Sequence, residues 1–226
     1  MKFSFPVNSI IKTLVLSDFF LLFSIGILAP VFALFIVGNI EGATIQMVGF
    51  AAAAYWTTRV VSVFFVTRVL DTTKGNRDEY FTLVSGTFLI ALVPLLYLLV
   101  TEPWHLYVVQ AVNGFANSLA VPAWRISFTR FVNRRAVGQA WSLDDISVGL
   151  ATAASGALGG VIAGAFGFTT LFIIASASGF IATMVVSTLY RSRAYMGPDA
   201  VPAEPRPNPD PASADAVPPL KVDSVK

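Results

Sequence analysis

Six long apolar stretches, at about 13–38, 44–69, 80–101, 104–126, 139–166 and 168–190, leave this chain few ways to fold. At about 1.5 Å per residue each can cross a hydrocarbon core of about 30 Å. That core holds no water to bond the backbone, so every run must pair its amides internally, which predicts six transmembrane helices and an all-α membrane protein. Pro30, Pro94 and Pro122 lie inside the runs and are expected to kink them, because proline removes an amide donor. A mean hydropathy of +0.71, with 12% charged residues, agrees.

The charges orient the bundle. Lys2 and Lys12 precede the first run; Arg68, Lys74 and Arg77 lie between the second and third; Arg130, Arg134 and Arg135 lie between the fourth and fifth; Arg191 and Arg193 follow the sixth. The alternate loops, around 38–45, 101–105 and 165–169, carry no Lys or Arg. Positive residues mark the cytoplasmic side, so both termini are expected there, in a protein of the cell membrane. The basic residues form no single stripe, which argues against a nucleic-acid partner.

Residues 1–193 are read as the six-helix domain. Beyond them, 194–226 holds eight of the 13 prolines and few large apolar side chains, which predicts a disordered cytoplasmic tail. Pro202–Pro205 fits a PxxP pattern loosely.

Charges inside a membrane cost on the order of 2.5–3.5 kcal/mol each on insertion scales, so they face a bundle interior or a wet cavity. Asp18 lies in helix one, Arg59 in helix two, Arg125 near the inner end of helix four, and Asp144 and Asp145 near the start of helix five, while helices three and six have none. The first, second, fourth and fifth helices are therefore expected around something polar. The pattern suggests two three-helix repeats, and Gly26 before Pro30 matches Gly114 before Pro122 as paired packing or hinge positions.

Gln110, Asn113 and Asn117 share one face of helix four, to bond either a passing solute or a neighbouring helix. Gly156, Gly160 and Gly164 form a small-residue ladder expected to pack closely or slide. Arg59 is too deep to reach the surface easily; it either serves an anionic group in the pathway or pairs with Asp18 or Asp145. Asp144 reads as a cap of helix five and Asp145 as a candidate proton or cation site.

The chemistry of an enzyme is missing. There is no Cys, the one His is His105 at an outer helix end, and no Gly-x-Ser-x-Gly or HExxH motif occurs, so no catalytic residue, metal site or cofactor is assigned.

The stretch Arg68-Val-Leu-Asp71-Thr-Thr-Lys74-Gly75-Asn-Arg77 resembles the G-x-x-x-D-R-x-G-R-R signature of the major facilitator superfamily of secondary transporters. Thr67 stands where the leading glycine belongs, and the loop is one residue longer. The resemblance implies a cytoplasmic latch at Asp71, Lys74, Gly75 and Arg77. The run Gly149–Gly164 with Phe166-Gly167-Phe168 is similar to that family's fifth helix and its link to the sixth, with Ala157 where antiporters carry a Gly-Pro pair. Gln110 replaces an arginine common in drug exporters.

Family members usually have twelve helices, so this chain looks like a half-size member. The resemblance implies a transporter of a small solute by alternating access, acting as a homodimer, with proton or cation coupling in reserve. A non-transporting membrane scaffold or assembly protein is the alternative.

Overall fold

The computed structural model of the protein describes residues 8–72 and 76–196. Lys2, the latch positions Lys74 and Gly75, and the Pro-rich segment 197–226 lie outside the described residues. The described chain is helical: α1 (Ser9–Gly26), α2 (Phe32–Asn39), α3 (Ile45–Thr72), α4 (Arg77–Tyr97), α5 (Pro103–Phe131), α6 (Val137–Ser187), a short turn at Thr188–Arg191 and α7 (Arg193–Met196). By length and composition α1, α3, α4 and the stretch from α6 to Arg191 can cross a membrane.

Local chemistry sets the helix ends. Asn8 caps α1 by accepting from the Ile11 amide at 2.8 Å, and its own amide donates to the Phe131 carbonyl at 2.7 Å, which joins the start of α1 to the end of α5. Pro103 occupies the first turn of α5, where its missing amide costs nothing. His105 completes a capping box there with Glu102, so the only histidine has a structural task.

The first apolar run is broken in two. Residues 27–31 leave the α-helical pattern for shorter-range bonds, such as Val31 N to Leu28 O at 3.1 Å, and Pro30 lies in this break. Pro94 and Pro122, by contrast, lie inside α4 and α5 without ending them.

In α6 the expected loop shrinks to one residue. Gly167 takes φ +79° and ψ 172°, a backbone conformation that L side chains rarely adopt, and the helix turns back on itself. The first arm runs alongside α1: Ala140 clusters with Ile10 and Leu14 at one end, and Gly159 meets Ile27 at the other. The second arm returns, with Leu171 against Ile27 and Val31, Ser178 Oγ on the Phe20 carbonyl at 2.8 Å, and Val186 back beside Ile10. With α1 and α2 taken as one interrupted column, the described residues form six columns.

The packing is uneven. α1 lies against α6, α5 lies against both α3 and α4, and α4 also packs on α6. α3 is buried only at Ala51 and Leu70, so it clings to α5 by one edge. Close contact there depends on Gly114, because a Cβ at that position would collide with the Tyr55 carbonyl.

The glycine ladder, expected to pack closely or slide, makes no such contact within the chain. Gly156, Gly160 and Gly164 face open space, with nothing within 4 Å of an added Cβ. The glycine that touches α1 is Gly159, whose added Cβ would strike the Ile27 carbonyl. One residue rotates a helical position by about 100°, so the ladder points away from α1.

Candidate functional site: a polar strip along α5

Gln110, Asn113, Asn117, Val121 and Arg125 follow one another at three- and four-residue spacing, so they form a single strip along α5. That strip threads four cavities. Gln110 and Asn113 line one of about 220 Å³ against α1, α2 and α4, and with Asn117 they line a second of about 350 Å³ that reaches Tyr55 on α3. Asn117, Val121 and Arg125 line a third, of about 450 Å³, together with Arg59 of α3. Val121 and Arg125 also line the fourth, of about 220 Å³, which holds Asp18 and Asp144.

The structure therefore brings most of the expected polar residues to one face. Asp18 of α1, Arg59 of α3, and Gln110, Asn113 and Asn117 of α5 all line cavities along this strip. Asn117 turns its amide along its own helix, donating at 3.0 Å to both the carbonyl and the side-chain oxygen of Asn113.

Arg59 finds neither expected anion. Its Nη1 donates to the Tyr55 hydroxyl at 2.9 Å, and its guanidinium lies 5.0 Å from the centre of the Trp56 ring. Both contacts orient the cation without neutralising it. Among the described residues the ion pair is Arg130 with Glu79, so Asp18 and Asp145 do not pair with Arg59.

Asp144 does not take its expected task as a helix cap. α6 begins at Val137 with Ala136 as its cap residue, so Asp144 lies two turns inside the helix and is not a cap. Asp144 is buried, at 8% exposure, with Oδ1 lacking a partner among the described residues, and it lines the cavity with Asp18. Asp145 is exposed on another face. Of the latch positions, Asp71 ends α3 on the rim of the Arg59 cavity, and Arg77 begins α4, exposed.

A charged node lies where α4 begins and α5 ends, and no spacing in the sequence announces it. Arg130 holds Glu79 with both terminal nitrogens, one at 2.6 Å, and also bonds Asn76. Asn76 in turn donates to the Tyr195 carbonyl at 2.6 Å, and the Tyr195 hydroxyl bonds Ser127 at 2.7 Å. These groups join α4, α5 and α7. Tyr55 beside Arg59 was legible in principle from its four-residue spacing, whereas Glu79 and Arg130 stand 51 residues apart.

A family model described as Major Facilitator Superfamily matches residues 14–223 of this chain. Comparison with curated proteins and with solved structures found no match.

Proposed function

Because the chain belongs to the Major Facilitator Superfamily, an integral-membrane family of secondary transporters, we propose that it carries a small solute by alternating access as a homodimer of six-helix units. One observation carries the reading: a polar strip on α5 lines four successive cavities that α1, α3 and α6 flank. Gln110 and Asn117 are buried within the chain, whereas Arg59 is half-buried and Arg125 exposed. Charges facing lipid are costly, so the charged end of the strip needs a cover.

A second copy is the cover that keeps the topology right. With both termini on the cytoplasmic side, two copies related by a two-fold along the membrane normal place strip against strip. Packing supports the two three-helix repeats as well. Gly26, in the first helix of one triplet, presses on Ser155 in the second helix of the other, and Gly114 does the same to the Tyr55 carbonyl. Rocking of one copy against the other would then open the strip to each side in turn.

Coupling to a proton or cation is assigned to Asp18 and Asp144, which share a cavity with Arg125. Asp145 is the less favoured site, since it lies outside that cavity.

The test is flux into vesicles that contain only this protein, joined to cross-linking. The chain has no Cys, so introduced pairs report cleanly. Ala53 in α3 and Gly156 in α6 both lie about 19 residues from the basic ends of their helices, hence at similar depth. Ala53→Cys with Gly156→Cys is expected to give a disulfide-linked dimer in membranes. A chain that stays monomeric and moves no solute contradicts the proposal.

A further inference from the structure

The groove between α3 and α5 contains two cations with no anion paired to either. Arg59 and Arg125 line the same cavity of about 450 Å³, and among the described residues neither makes an ion pair. Arg59 is held in direction by Tyr55 and Trp56, and Arg125 is exposed without a hydrogen-bond partner among the described residues. Two guanidinium charges lining one groove repel each other. A bound anion removes that repulsion and supplies acceptors for both forks.

The remainder of the groove sets the kind of anion. Asn117 and Thr67 add polar groups, while Val60, Val63, Val121 and Ile126 form apolar walls. Asp71, at the cytoplasmic end of α3, is the one carboxylate lining this cavity and is exposed; Asp18 and Asp144 lie in the neighbouring cavity, which shares Arg125. We infer that this groove binds an organic anion, with its acidic head between Arg59 and Arg125 and its apolar body against the valines of α3. This inference names the solute class and rests on the transporter reading above. An anionic lipid headgroup offers the same chemistry, so the test has to separate the two.

Trp56 supplies the readout, because its ring lies against Arg59. The full chain in phosphatidylcholine vesicles is titrated with benzenesulfonate, succinate and inorganic phosphate while tryptophan fluorescence is followed. The expected result is a saturable change with benzenesulfonate, absent with the uncharged analogue benzenesulfonamide. Arg59→Gln and Arg125→Gln should each weaken it about tenfold or more, with Lys at either position restoring part of the loss. The analogue comparison uses the unaltered protein, so it stands even where a variant fails to fold.

Three results overturn the inference: no binding of any of the three anions, equal binding of the uncharged analogue, or full binding in both glutamine variants. Phosphatidylglycerol that displaces benzenesulfonate in proportion to its content would also overturn it, by assigning the groove to lipid. Flux of an uncharged solute without anion binding would refute this inference and leave the transporter reading intact. Anion binding without any flux would do the reverse.

Discussion

Arg130 Nη2 donates to Glu79 Oε1 at 2.6 Å, across 51 residues of sequence, where α4 begins and α5 ends. Glu79 is 3% exposed, so its charge depends on this fork and on little water. Removing one member leaves the other buried without a counter-charge, which costs about 3–5 kcal/mol. Arg130→Gln and Glu79→Gln are each expected to lower the melting temperature in detergent sharply, and the double variant should lose less than the two added together. Additive losses would show that the pair is not coupled.

The glycines divide into two groups with opposite expectations. Alanine at Gly114 or Gly159 drives a methyl group into the carbonyl of Tyr55 or Ile27, and overpacking of this kind costs about 1–3 kcal/mol. Alanine at Gly160 or Gly164 meets nothing within the chain and should leave monomer stability unchanged. Thermal unfolding of the four variants in detergent decides it; equal losses in all four would contradict the packing described.

Tyr195 anchors the last described turn. It is fully buried, stacks on Phe131 with ring centres 5.0 Å apart, and burial pushes its phenol up to about 12, outweighing the Ser127 hydrogen bond that pulls it down. A folded value above the ordinary 10.0 means that the stabilisation is complete below pH 10 and fades as pH rises towards 12. The protein should therefore show an alkaline loss of stability in that window. Tyr195→Phe should flatten it, and should cost about 1 kcal/mol at neutral pH through the lost Ser127 bond. A Phe variant with the same alkaline profile would assign the loss to another group.

The two neighbouring acids of α6 should behave differently. If coupling resides in the cavity that Asp18 and Asp144 share, Asp18→Asn and Asp144→Asn should reduce uptake driven by a proton gradient by about tenfold or more, with downhill exchange retained. Asp145→Asn should change little. A strong effect confined to Asp145 would move the coupling site to the exposed face.

What the sequence disclosed follows physical range. Helical columns, the polar helix-four face at Gln110, Asn113 and Asn117, and the interruption at Pro30 are local properties, and the sequence carries them. Which of two adjacent acids turns inward depends on a helix rotation of about 100° per residue, and the sequence alone does not fix that phase for Asp144 and Asp145. The same phase question hid Gly159 beside the more regular ladder of Gly156, Gly160 and Gly164. Pro30 coincides with a break where Pro94 and Pro122 do not, although all three remove the same donor; the neighbours differ, with Gly159 admitting the Ile27 carbonyl at close range. The Arg130–Glu79 node joins segments far apart in sequence, so no spacing announced it.

The most direct measurement is counterflow of labelled benzenesulfonate into phosphatidylcholine vesicles containing only this chain, beside vesicles with the Arg59→Gln variant. Exchange well above protein-free vesicles, lost in the variant while its folding and dimer cross-link persist, is the expected result. A wild-type signal no greater than the protein-free leak, for this anion and equally for succinate, phosphate and benzenesulfonamide, would contradict a solute pathway along α5.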